Sequence, residues 1–141
     1  MANNTFLAEA DSFARAAHEA LYAATGDSDD VSDALEVMQE DDVTNVQCVV
    51  IQAIEALDSA CHACIQNEVF LMKANVAEEN AATSDEKKEA KKLVMLAKTM
   101  NHRAKSLFNS DMRMCRDMME YEIRVVHNYD ALVSTSECGE C

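Results

Sequence analysis

The residues best suited to chemistry in this chain are six cysteines and four histidines. Cys61-His62-Ala63-Cys64 and Cys138-Gly139-Glu140-Cys141 both have C-x-x-C spacing. Two such pairs are what a four-thiolate zinc site needs. Soft sulfur also suits Cu(I). Nine methionines, among them Met95, Met100, Met112, Met114, Met118 and Met119, widen that option. The bland alternatives are strong. Free cysteine behaves as a small buried hydrophobe, and methionine is a flexible filler of cores.

Chain geometry sorts these options. If the chain folds back near residue 82, position 62 lies level with position 102. That nominates Cys61, Cys64 and His102 as a zinc or copper ligand set. It also puts Cys48 beside Cys115, which suits a disulfide. The second C-x-x-C would lie roughly 48 Å further along at helical rise, whereas a seven-residue tail reaches only about 25 Å. Structural thiols and no cofactor are therefore the expectation, with Cys61, Cys64 and His102 as the set to check.

Other chemistries fail on spacing. Two glycines, Gly26 and Gly139, cannot build a Gly-rich phosphate loop. The zinc-protease pattern fails at every histidine. In the acidic run from Asp27 to Asp42, Asp27 and Asp29 fit the first ligand positions of a calcium loop. Val31, Ser32 and Met38 then stand where an oxygen ligand, a glycine and a glutamate are required. A di-iron bundle needs Glu three residues before its histidines, and here Arg15, Ser59, Thr99 and Arg124 occupy those places. No catalytic residue is nominated.

Charge is the other signal. The net charge is −14 over 141 residues. Residues 1–72 hold 14 acids and one base, Arg15, while residues 73–141 are nearly balanced. Such a chain lacks the basic face that phosphate backbones require, so direct nucleic-acid binding is not expected. A basic protein partner is favoured instead. The candidate partner-binding residues are Asp27, Asp29, Asp30, Asp33, Glu36, Glu40, Asp41 and Asp42. Solubility alone is the competing explanation for so many acids.

All of these residues must be carried by helices. The chain has no proline and only two glycines, and it is rich in Ala, Glu, Lys, Met and Leu. Phe6, Ala10, Phe13, Ala17, Leu21 and Ala24 repeat at steps of three and four, which predicts a helix over about 5–24. Gly26 then suits a left-handed cap. Ser28 and Asp29 suit the N-cap of a short second helix over about 30–40. A third helix, about 43–80, carries only three charged residues from Val43 to Met72 and should be buried on most sides. Thr44 and Gln47 offer one capping-box start for it.

Thr83 and Glu86 form a capping box opening a fourth helix, about 85–133. Leu93, Ala97, Met100, Ala104, Leu107, Asp111, Met114, Met118, Tyr121, Val125, Asn128 and Leu132 follow coiled-coil seam spacing along it. Asp111 and Asn128 interrupt the seam, and a local rotation of the helix is the simpler account. Residues 134–141 are expected to be a flexible tail.

The expected fold is therefore all-α. It is an elongated helical bundle with a long antiparallel hairpin and two shorter N-terminal helices, in one domain over 1–133. No signal-like start is seen, and Glu55, Asp58 and Glu68 argue against a membrane span over 43–72. The chain is expected in the cytoplasm. The function expected is an acidic interaction module: an adaptor, chaperone or inhibitor of a basic or partly unfolded protein. The alternatives are a self-assembling subunit, such as a viral or phage assembly component, and a thiol-based zinc or copper bundle.

Overall fold

The computed structural model describes residues 4–39 and 42–140, with side chains from Thr5 to Ala131 within those ranges. It is an all-α bundle of three helices: α1 (Asn4–Glu36), α2 (Val43–Glu79) and α3 (Ser84–Glu140). Among the described residues there is no strand.

The two short N-terminal helices expected from the sequence are one continuous helix. Gly26 has no positive φ, and a methyl group added there would meet nothing within 4 Å. An exposed glycine inside a helix costs only about 1 kcal/mol relative to alanine. Packing on both sides offsets that. Ala24 and Val31 are buried, and Leu35 packs beside Val31. Asp27 accepts a hydrogen bond from Ser59 Oγ, and Ser28 Oγ donates to Asp111. Ser28 is therefore a mid-helix anchor rather than a cap.

α2 begins at the Asp42 N-cap, whose carboxylate accepts from the Asn45 backbone N–H at 3.2 Å. This displaces Thr44 as the start. Asn45 Oδ1 in turn accepts from the Gln39 N–H at 2.8 Å, tying the exit of α1 to the entry of α2. At the other end, Asn80 Nδ2 donates to the Val76 carbonyl at 2.8 Å and closes the helix. The expected Thr83–Glu86 box is present in a shifted form. Thr83 Oγ1 accepts from the Glu86 N–H at 3.1 Å, while the Glu86 carboxylate accepts from the Ala82 N–H at 3.0 Å. Orphan amides at the start of α3 are thus satisfied.

α2 is the central helix. It packs extensively against both α1 and α3, which touch each other far less. The core runs the length of the bundle in layers. Ala10, Ala77 and Ala90 form one end. Ala17, Phe70, Ala74, Val94, Ala97 and Met100 come next. Ala20, Ala24, Ala60, Ala63 and Ala104 form the middle. Val31, Ala53, Ala56 and Cys115 follow, and Val46, Val49, Val50 and Met118 close the far end. Alanine makes up the first and middle layers and half of the layer on either side of the middle, so the helices can approach closely there.

The α3 seam holds. Ala97, Met100, Ala104, Asp111 and Met118 are buried, and Leu93, Leu107, Met114, Tyr121 and Val125 are half-buried. Asp111 does not mark a rotation of the helix. It stays in the seam at 2% exposure because Ser28 Oγ lies 2.8 and 2.7 Å from its two carboxylate oxygens. Asn128 is exposed. α3 does not stop near residue 133 but continues as helix to Glu140, since neither glycine nor proline intervenes before Gly139. It therefore runs past the end of the bundle where α1 and α2 are joined.

The expected burial of α2 on most sides is only partly met. By length and composition α2 can cross a membrane, with mean hydropathy 1.4 over its most apolar window, of which 33% is buried in the bundle. The central helix of a bundle passes the same test. Here α2 lies between α1 and α3 and leaves its third side uncovered.

Candidate interaction surfaces

The proposed sulfur–imidazole site does not assemble. Cys64 packs at the level of Leu107 and Phe108 beside Ala63 and Ala104, so the fold-back is offset from a turn centred on residue 82. His102 is exposed and instead borders a groove between α1 and α3, with His18. Cys61 is exposed and Cys64 half-buried. Among the described residues, no group of three His, Cys, Asp or Glu side chains is placed to hold a metal.

Cys48 and Cys115 are both free. Cys48 is exposed, whereas Cys115 is buried against Val31, Ala53 and Ala56. Burial pushes the Cys64 and Cys115 thiols up, with help from neighbouring Cys61 and Asp111 respectively. Both thiolates are thereby disfavoured. The side chains of Cys138 and Cys141 lie outside the described residues.

The acidic candidates divide by role. Asp27 is half-buried and bound to Ser59, so it fastens α1 to α2. Asp42 caps α2. Asp29, Asp30, Asp33 and Glu36 are exposed and make no ion pair among the described residues. Glu40 and Asp41 lie outside the described residues.

Asp29, Asp33 and Glu36 fall at steps of four and three on one outward stripe of α1. The same stripe continues toward the N-terminus through Thr25, Tyr22 and His18. Those three line the α1–α3 groove, a cavity of about 570 Å³. Leu21, Met100 and Leu107 give it an apolar lining, while His102, Arg103, Ser106 and Ser110 add polar groups. The groove exists because α1 and α3 make little contact. Sequence patterning could not show it, since it depends on which helix is central.

A second surface covers the outer side of α2. Ile51, Ile54, Asp58, Cys61, Ile65, Glu68 and Met72 recur at alternating steps of three and four, and Val76 follows. All are exposed; Ile65 is 55% and Met72 64% accessible. Isolated exposed apolar side chains are ordinary, whereas a continuous row is not. Met119 and Ile123 of α3 extend the row sideways, since they share a second groove with Val50 and Ile54. Met112 lies seven residues before Met119 and is also exposed. The methionines expected as core filler are thus split. Met100 and Met118 are buried, while Met72, Met95, Met112 and Met119 face outward.

Among the described residues, the acid of this row that is ion-paired is Glu68. It accepts from Lys105 Nζ at 2.9 Å and from Asn101 Nδ2 at 3.1 Å. Its carboxyl is held below the usual range, first by Lys105 and then by Asn101. Beneath it, Asn67 Nδ2 donates to the Ala63 carbonyl at 2.7 Å and to the Ala17 carbonyl at 3.3 Å. These polar contacts, with Asp27–Ser59 and Ser28–Asp111, link the three helices at defined levels along the bundle.

No family model, no curated protein and no solved structure matches the chain.

Proposed function

We propose that this chain is an acidic helical interaction module, acting in the cytoplasm without catalysis of its own, and that it holds a basic amphipathic segment of another protein. The observation that carries this is the outward stripe of α1. It passes from the apolar α1–α3 groove at Leu21 and Tyr22 to the exposed acids Asp29, Asp33 and Glu36. A helix laid along it would place apolar side chains in the groove and basic ones against the acids, as in helix-in-groove recognition.

Fluorescence anisotropy with a lysine-rich amphipathic helical peptide tests it. Binding should weaken at least about tenfold as salt rises from ~0.05 to ~0.5 M. The triple variant Asp29→Asn, Asp33→Asn, Glu36→Gln should bind more weakly at low salt and lose most of that salt dependence. Binding that ignores both salt and the triple variant would refute it. A second reading, self-association, is favoured by a different observation: the outward row on α2.

A further inference from the structure

We propose that the outer face of α2, with the adjoining edge of α3, is the interface for a second copy of this chain, the two α2 helices running antiparallel. This rests on the self-association reading and not on the acidic stripe of α1.

Spacing is the first argument. The row from Ile51 to Val76 has the alternating three- and four-residue steps of a helix-to-helix seam. α2 already carries one such row, the buried one that meets α1 and α3. A second seam on the opposite side has no helix of this chain against it among the described residues.

Size is the second argument. Twenty-six residues span about 38 Å. With α3 alongside at about 9 Å, the face is roughly 19 Å wide. That gives about 700 Å² per copy, close to the ~800 Å² each partner contributes to a standard interface.

Charge is the third argument, and it selects the occupant. Two chains of net charge −14 repel over most of their surfaces. The α2 part of the face, from Ile51 to Val76, carries only Glu55, Asp58, Glu68 and Lys73, and the α3 edge adds Glu122 and Asp130 at the groove shared with Met119 and Ile123. Lys73 is turned toward α1, where its Nζ meets Glu9 at 2.8 Å, and Glu68 is paired with Lys105. Among the described residues Glu55 and Asp58 make no ion pair; Glu55 lies beside the row and Asp58 within it. Antiparallel overlap of the whole row puts the two-fold axis between Cys61 and Ile65. Cys61 then faces Ile65 of the second copy, and Asp58 comes level with the Glu68–Lys105 pair of the second copy. A carboxylate there meets a neutralised ion pair and not a lone like charge. A parallel pairing would instead set Asp58 against Asp58.

Analytical ultracentrifugation of the full chain under reducing conditions tests this. A dimer is expected at micromolar concentration, unchanged or tightened by added salt because screening relieves the like charges. Ile65→Glu should weaken it at least about a hundredfold while circular dichroism stays that of the native fold. The double change Cys61→Lys with Ile65→Glu should restore dimerisation, since antiparallel neighbours then carry opposite charges. The triple variant of the α1 acids should dimerise like the native chain.

A monomer throughout the concentration range overturns the proposal. So does a dimer indifferent to Ile65→Glu, or one that the double change fails to restore. Recruitment of the monomer to lipid vesicles through Ile65 would assign the face to a membrane instead and overturn it equally. None of these results bears on the salt-dependent peptide binding at α1.

Discussion

Replacing Gly26 with alanine tests whether α1 is one helix, and with it the alignment of the acidic stripe. In the bundle Gly26 has ordinary helical backbone angles, and nothing lies within 4 Å of the position its Cβ would take. The added methyl therefore meets no steric resistance. Alanine gains about 0.8–1.0 kcal/mol over glycine in a helix interior. Part of this gain arises because the unfolded chain has fewer conformations to lose. Gly26→Ala should thus stabilise the protein by about 1 kcal/mol, raising Tm by roughly 2–5 °C for a chain of this length. Urea titration followed by circular dichroism should show a higher midpoint at an unchanged slope. Gly26→Pro should act oppositely, costing about 3 kcal/mol or more through the lost hydrogen bond and the clash with the preceding turn. If Gly26→Ala destabilises by about 1 kcal/mol or more, Gly26 caps a helix in a left-handed conformation. Asp29, Asp33 and Glu36 would then belong to a separate helix, and the continuous stripe would not exist.

Two further changes probe the interior. Ser28→Ala should cost about 1–3 kcal/mol in denaturant titration, because it leaves the buried Asp111 carboxylate without its donor. Burial raises the Asp111 carboxyl above the ordinary aspartate value, against the opposing Ser28 hydrogen bond. The folded protein therefore holds that proton more tightly than the unfolded chain does. Its contribution to stability is greatest in acid and declines as pH rises from the ordinary value through the raised folded one. Asp111→Asn should remove that decline while keeping an acceptor for Ser28; a stability–pH profile identical to the native one refutes this. For the thiols, Cys48 should react with maleimide at least about tenfold faster than Cys64 and Cys115 by peptide mapping, since burial suppresses the latter two thiolates. Equal rates at Cys48 and Cys115 would contradict the packing at Val31, Ala53 and Ala56.

The helical class and the hairpin were legible because proline and glycine are so scarce and because the 3.6-residue repeat is regular. The Thr83–Glu86 turn was legible from capping chemistry alone. Gly26 misled because a glycine followed by Ser28 and Asp29 reads as a stop and a start. What overrides it is tertiary: Ser59 and Asp111 reach Asp27 and Ser28 from the other two helices. The same holds for Asp111, whose place in the seam makes sense only once Ser28 is opposite. The outward row on α2 was hidden by its own composition. An apolar helix reads as buried all round, and the sequence does not reveal that three helices leave the central one a bare side. The Cys61, Cys64 and His102 set failed because the turn is offset and because His102 lies off the α3 seam, bordering the α1–α3 groove.

The alanine-filled interior has a consequence for which substitutions the bundle tolerates. An alanine methyl has no rotamers to freeze and few atoms to remove. Shaving the middle layer at Ala60, Ala63 or Ala104 to glycine leaves only a methyl-sized gap and mainly raises the cost of holding helix. Enlarging the same positions must push closely approached backbones apart or displace Leu21, Leu107 and Phe108, which pack against this layer. Mutational sensitivity in that layer is therefore inverted relative to a leucine-rich core: growth injures more than loss. Sequence drift should accordingly be steered into the outer faces, where surfaces for other molecules are made.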